Sequence, residues 1–274
     1  MVRQRIVVAL DGGSLGDVAA VASSLAPAAG EFELVLTYGH RPGADALAGE
    51  HRLDIVSAAS QGTNDYMLVQ ALQSLLPRRE VVAVLTRVVV DRDDPAFEHP
   101  TVRVGRRYSV REGRRAAAVH GWSMVRDGPG LRRVVPAPEP RSVVEIGAIE
   151  ELVGDGAVVV CGGGVPVVRD RGLRGVEAVV DGDLTAVLLA EQLDADRLVL
   201  ASGVTDAKSA PRAAKGEAAY RFVNRTGGTA ALGHVRQVVA LARGDAGTQI
   251  RHPDAVAAAA TTLHGEFARR LGKE

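Results

Sequence analysis

The stretch from Ala157 to Asp183, AVVVCGGGVPVVRDRGLRGVEAVVDGD, sets the strongest limit on what this chain can fold into. Val158 to Cys161 is a short, wholly apolar run of the kind that forms a strand buried on both faces. Strands of that kind belong to parallel sheets covered by helices, so the run predicts an α/β architecture. It passes directly into Gly162, Gly163 and Gly164. Without Cβ atoms, backbone N–H groups at a strand end can converge on an anion. The same three glycines also suit a plain tight turn between core strands, and their spacing alone does not separate the two uses.

The rest of the chain repeats this pattern. Arg5 to Leu10, Glu33 to Thr37, Val81 to Val90 and Arg197 to Leu200 each read as buried strands, the third interrupted by Thr86 and Arg87. A length of 274 residues fits one large domain, or one with a small excursion. The 33 basic and 33 acidic residues cancel, so no global field favours nucleic acid or an acidic membrane surface. One Trp, four Tyr and four Phe are too few for base-stacking platforms. The single Cys161 excludes an intrachain disulfide and suits a reducing compartment. The apolar run at the N-terminus is too short for a signal peptide or a membrane span. A cytoplasmic protein without nucleic-acid or membrane partners is expected.

Between the strands, Asp11 to Gly16 forms a glycine-bearing loop. Asp17 is placed to cap a helix ending near Pro27, whose first N–H groups would face that loop. No Lys-Ser/Thr follows, so the loop is not a P-loop. Ser57 to Gln70 opens a helix capped by Asn64 or Asp65 and running to about Leu76. Residues 91–140 are rich in Pro, Arg and Gly, and Arg106, Arg107, Arg111, Arg114 and Arg115 read as a solvated face. Val143 to Val153 reads as a helix. Asp183 reads as the cap of a helix from Leu184 to Gln192, or as a group that orients a ligand. Gly227 and Gly228 stop another helix at Thr226, and a further helix spans about Val235 to Ala242. At the C-terminus, Val256, Ala260, Leu263, Phe267 and Leu271 recur at helical spacing behind a capping Asp254.

Taken in order, these motifs resemble the carbamate kinase family within the amino-acid-kinase superfamily. The glycine loop with its following Val165–Val168 and Gly175–Asp181 segments carries part of the likeness. Asp93–Phe97 and Arg132–Pro136, which frame a protruding subdomain in that family, carry the most specific part. Thr37, Gly39, Pro42, Gln61, Gly62 and Tyr66 also match, as does Lys215-Gly216-Glu217-Ala218-Ala219. The likeness covers residues 5–250 with one internal deletion. It implies a three-layer αβα sandwich with a mainly parallel central sheet. It also implies a lid subdomain over residues 91–140 within a body of residues 1–253, and a homodimer. An added helix occupies residues 254–274. Implied anion-binding residues are Gly12, Gly13, Arg132, Arg133, Gly162, Gly163 and Gly164. Lys215 stands where the family has a phosphate-contacting lysine, and Ser14 and Asp183 join it in the catalytic group. No metal ligand among the side chains is implied; ATP and Mg²⁺ are expected as cofactors only where kinase activity is retained.

The departures fall at the site. Ser14 and His40 replace asparagines, Arg41 replaces a glycine, and Gly182 replaces the lysine of an Asp-Lys-Asp motif. A few dozen residues that grip nucleotide in the family are missing after Leu200, and Lys208 lies in what remains. Removing a charge-stabilising group from a transition state costs on the order of 10²–10³ in rate. The expectation is therefore a diverged member that binds a small carbamate-, carbamoyl-phosphate- or carboxylate-like anion, with His40 and Arg41 beside it and ordinary phosphotransfer lost or altered. One alternative is an active carbamate-kinase-type phosphotransferase, and the other a non-catalytic partner protein. The added tail is expected to pack Leu263, Phe267 and Leu271 over the vacated nucleotide region, in the same or a neighbouring subunit.

Overall fold

The computed structural model describes residues 3–39, 52–203 and 212–252. His40, Arg41, Lys208 and the tail from Asp254 to Leu271 lie outside them. In chain order the elements are β1 (Arg5–Leu10), α1 (Val18–Glu31), β2 (Glu33–Tyr38), α2 (Leu53–Leu75), β3 (Val81–Val84), β4 (Arg87–Val90) and β5 (Val102–Tyr108). Then come α3 (Val110–His120), β6 (Met124–Asp127), β7 (Gly130–Val135), β8 (Pro140–Val143), α4 (Ile146–Gly154), β9 (Val158–Gly162) and β10 (Val165–Arg169). The chain continues through β11 (Leu173–Gly175), α5 (Gly182–Gln192), β12 (Arg197–Ser202), α6 (Arg212–Thr226), β13 (Thr229–His234), α7 (Val238–Arg243) and β14 (Thr248–Arg251).

The central sheet has seven strands in the order β14-β13-β12-β1-β2-β9-β3, parallel throughout except for β14. Alternation along β1 explains the layers. Val7 and Ala9 point into one core with Ile149 of α4, Leu189 of α5 and Phe222 of α6. Ile6, Val8 and Leu10 point into the other with Leu25 of α1, Leu68 of α2 and Leu241 of α7. Successive residues of a strand face opposite sides, so a strand apolar at every position needs cover on both. The αβα sandwich expected from the sequence is the observed fold. Among the described residues no helix is long and apolar enough to cross a membrane.

Two smaller sheets leave this body. The first has the order β11-β10-β4-β8, and the second the order β5-β7-β6 with α3 against it. Val104 and Val135 of the three-stranded sheet pack on Leu53 and Val56 of α2 and on Val179. Arg106, Arg107, Arg111, Arg114 and Arg115 are exposed there, the solvated face read from the sequence.

Several element boundaries differ from the sequence reading. Asp17 does cap α1, accepting from Ala20 N at 3.1 Å, but the helix runs through Pro27 to Glu31. The proline ring faces solvent while Ala28 and Ala29 are fully buried, so packing outweighs one missing hydrogen bond. Val81 to Val90 is two strands in different sheets, turned at Leu85 and Thr86. The helix expected from Val143 starts at Ile146, because Val143 belongs to β8. Helix α2 begins at Leu53, so Asn64 and Asp65 are mid-helix and cap nothing.

Asp65 is instead buried, and its Oδ1 accepts from the Tyr38 hydroxyl at 2.7 Å. Burial pushes this carboxyl up to about 7, with the Tyr38 and Gln61 hydrogen bonds opposing the shift. The folded chain thus keeps a proton that the unfolded chain has released, and Asp65 destabilises progressively as pH rises from about 4 to about 7. The full effect is on the order of 4 kcal/mol. Asp65→Asn keeps an acceptor for Tyr38 and removes the charge. Its stability in denaturant titrations should exceed that of the wild type at pH 8, with the gain shrinking toward pH 4. Parallel pH profiles for the two proteins would contradict this account of Asp65.

Candidate active site

The parallel strands end together on one edge of the central sheet, where open α/β sheets place their ligands. β1 is flanked by β2 on one side and β12 on the other, so chain direction across the sheet changes there. Asp11 leaves β1, its N–H donating to Ala201 O at 3.3 Å, and Gly39 leaves β2, its N–H donating to Leu10 O at 3.1 Å. A tight helical turn over Gly12–Asp17 then folds Ser14 inward until it is 3% exposed. A Cβ on Gly203, just past β12, would stand 2.7 Å from Ser14 Oγ. Gly39 and Gly203, the first residues after β2 and β12, therefore meet the turn that follows β1, and glycine is what allows them to approach so closely.

Gly39 is held between two further glycines. A Cβ on Gly12 would lie 2.4 Å from Gly39 O, and one on Gly182 would lie 2.5 Å from Gly39 Cα. Gly182 begins α5 directly after Asp181, whose Oδ1 caps the helix by accepting from Asp183 N and Leu184 N at 2.9 and 3.0 Å. Asp183 is thus not the cap expected from the sequence, since Asp181 takes that role. The space that a side chain at position 182 would enter is filled by the backbone of Gly39.

Freed from capping, Asp183 pairs with Lys215. The Lys215 Nζ lies 3.2 Å from Asp183 Oδ1 and 2.7 Å from Asp11 Oδ1, with the lysine only 5% exposed. Burial alone would lower the pKa of this ammonium, but Asp183 and Asp11 outweigh it and hold the group above its ordinary value. Asp183 is also raised rather than lowered by its ion pair. Burial leads, Lys215 opposes it, and the nearby charges of Asp181 and Asp11 add to it. The two shifts are compatible because several carboxylates share one ammonium. Asp11 Oδ2, Ser14 Oγ and Thr37 Oγ1 are buried with no hydrogen-bond partner among the described residues. Buried polar atoms are rarely left unpaired, so three on one sheet edge make it a candidate place for a ligand or ordered water.

The glycine loop lies at the end of β9, whose Gly162 pairs in register with Tyr38. Packing dictates two of its three glycines. A Cβ on Gly162 would stand 2.3 Å from Gln61 Cγ, and one on Gly164, at φ +89°, would stand 2.3 Å from Val88 Cγ2. The Gln61 carboxamide, turned so that its oxygen faces donors, accepts from Gly162 N at 3.1 Å and Thr86 N at 2.9 Å. Gly163 is buried between them. The loop is a tight passage from the central sheet into the four-stranded one, whatever it also binds.

Arg132 and Arg133 are already engaged. Arg133 is buried, paired with Glu177 and stacked over the Trp122 ring at 4.3 Å. Arg132 Nε lies 2.8 Å from Asp127 Oδ2, a charge contact without hydrogen-bond alignment. Alternation along β7 sends these neighbours to opposite faces, so they do not act as one anion clamp. Gly12 and Ser14 do lie at the sheet edge with Lys215 and Asp183, and Gly13 faces open space. Sequence reasoning gave no site role to Asp11, Asp181, Gln61 or Glu177, although Asp11 opens the glycine-bearing loop, Gln61 matches the family and Asp181 begins the motif that ends at Asp183.

The chain matches the amino acid kinase family over residues 4–208. It is 36% identical to a carbamate kinase of Rhizobium meliloti, over 90% of this chain and 93% of that protein. It is 34% identical to a carbamate kinase of Pyrococcus horikoshii, over 80% and 85%. Among solved structures, carbamate kinase from Giardia lamblia bound to AMP-PNP superposes with a TM-score of 0.83 at 27% identity, covering 91% of this chain and 98% of that one. Likeness in fold, in most of the length and in sequence agrees, and the chain belongs to the carbamate kinase family.

Proposed function

We propose that this chain is a working carbamate-kinase-type phosphotransferase, which exchanges a phosphoryl group between ATP and carbamate, in either direction. The observation that carries the reading is Lys215, buried and ion-paired between Asp11 and Asp183 at the sheet edge that also carries the unpartnered Ser14 Oγ and Thr37 Oγ1. The expectation of lost phosphotransfer leaned on Gly182 and on the shortened segment after Leu200. Relatives that are carbamate kinases at 34–36% identity over most of the chain favour the active alternative instead.

In this reading ATP supplies the phosphoryl group, with Mg²⁺ offsetting its charge. The sheet edge fits phosphate: Ser14 Oγ is a buried hydroxyl free to donate, and the backbone at Gly12 and Gly13 carries no Cβ to block approach. Lys215 is a permanent cation, since its carboxylates hold the proton on Nζ at neutral pH. It can stabilise negative charge without prior reorganisation, which is where preorganised groups contribute most. Asp183, fixed in the first turn of α5, keeps that ammonium in place. The three-stranded sheet acts as a lid that excludes water, anchored by Arg133 on Glu177.

Steady-state assays with ATP, Mg²⁺ and carbamate, and with ADP and carbamoyl phosphate, test the proposal. Turnover is expected in both directions. Lys215→Ala should lower kcat by about 10²–10³ while carboxylate repulsion is partly relieved by protonation. An inactive wild type with a stable fold would end the proposal.

Restoring the family's lysine at position 182 gives a second test. Because its Cβ would enter the backbone of Gly39, Gly182→Lys should destabilise the chain by about 1–3 kcal/mol and yield no faster turnover. A faster enzyme of undiminished melting temperature would show that the position is empty space awaiting a cation.

A further inference from the structure

We propose that Asp11 is a built-in competitor of the phosphoryl anion for Lys215, a positioning residue that restrains the ammonium until an anion displaces it. The inference rests on the kinase reading only for the identity of that anion.

Lys215 has two carboxylate partners, and they are held very differently. Asp183 sits in the first turn of a helix, with its backbone N–H fixed by the Asp181 cap. Asp11 sits in the loop leaving β1, and its side chain makes no capping hydrogen bond to the turn that follows. One oxygen meets the Lys215 ammonium at 2.7 Å and the other is buried without a hydrogen-bond partner. Among the described residues, Lys215 is thus what retains the Asp11 carboxylate. Gly12 and Gly13 follow at once, and nothing lies within 4 Å of where a Cβ on Gly13 would be. Of the two carboxylates, Asp11 is the one placed to yield.

Charge supports the same assignment. One ammonium against the Asp11 and Asp183 carboxylates leaves an excess of negative charge around a lysine that is 6% exposed in its side chain. An incoming phosphate meets repulsion there unless one carboxylate gives up its place. Ser14 Oγ, buried and unpaired, offers a donor to the anion that takes over.

The test uses the full chain with magnesium chelated, and inorganic phosphate and ADP as probes in calorimetric titrations. Asp11→Asn keeps the shape, removes the charge and leaves Lys215 paired to Asp183, so the fold should persist. Phosphate and ADP should bind at least tenfold more tightly than to the wild type. Asp11→Glu restores the competing charge and should return affinity toward the wild-type value. A structural support for Lys215 would give the opposite result, since its removal weakens binding. Unchanged or weaker binding to Asp11→Asn overturns the proposal, as does equal tightening by Asp11→Glu. If Asp11→Asn fails to fold, Asp11→Ser serves under the same criteria. Turnover of the wild type is measured separately. An active wild type without the tightening refutes the Asp11 inference alone, and tightening in an inactive protein refutes the kinase reading alone.

Discussion

A single buried ammonium ties together three elements that would otherwise meet only through loops. Lys215 comes from α6, Asp11 from the end of β1 and Asp183 from the first turn of α5. Burying a lone charge is expensive, and a buried pair broken by removal of one partner typically loses about 3–5 kcal/mol. The arrangement therefore fixes where α5 and α6 sit relative to the sheet edge, and the strand ends inherit that placement. Architecture and the proposed function draw on the same group: the cation proposed to assist phosphoryl transfer also pins the elements around it.

The second constraint is the absence of side chains. Gly12, Gly39 and Gly182 touch through backbone alone, and Gly203 closes on the Ser14 hydroxyl and backbone. A loss of lysine at position 182 looks, in sequence, like the removal of a catalytic group. In space the volume that a side chain at position 182 would enter is occupied by the backbone of Gly39. Position 182 cannot be judged without Gly39, a contact that an argument from the sequence around position 182 alone does not include.

Much of the fold was legible because buried strands announce themselves. Val158–Cys161, Arg5–Leu10 and Arg197–Leu200 are apolar at nearly every position, and all became neighbours or near neighbours in the central sheet. Helix α2 was misread for the converse reason. Its buried stripe runs Leu53, Val56, Ser57, Gln61, Asp65, Leu68, Leu72, and polar residues occupy its middle. Periodicity of apolar residues cannot see a buried glutamine that serves Gly162 or a buried aspartate that serves Tyr38. Likewise Asp183 looked like a cap because capping is a local property, whereas its partner lies 32 positions away in Lys215. Asp181, two residues earlier, had the same chemistry and the better geometry.

The misread helix is also the element that joins the outlying parts to the site. At its first residue, Leu53 N donates to Glu177 Oε1 at 2.7 Å, and the other oxygen of Glu177 holds Arg133 of the three-stranded sheet. Eight residues on, about 12 Å along the axis, Gln61 holds the glycine loop at Gly162. One turn further, Asp65 holds Tyr38 directly beneath Gly39. The docking of the outer sheet, the shape of the glycine loop and the end of β2 are thus referred to one rigid body. A helix accepts polar residues on its buried face only where they are satisfied, and here each satisfied partner belongs to a different part of the site. The polar interruptions that hid α2 from sequence analysis are the contacts by which it organises the sheet edge.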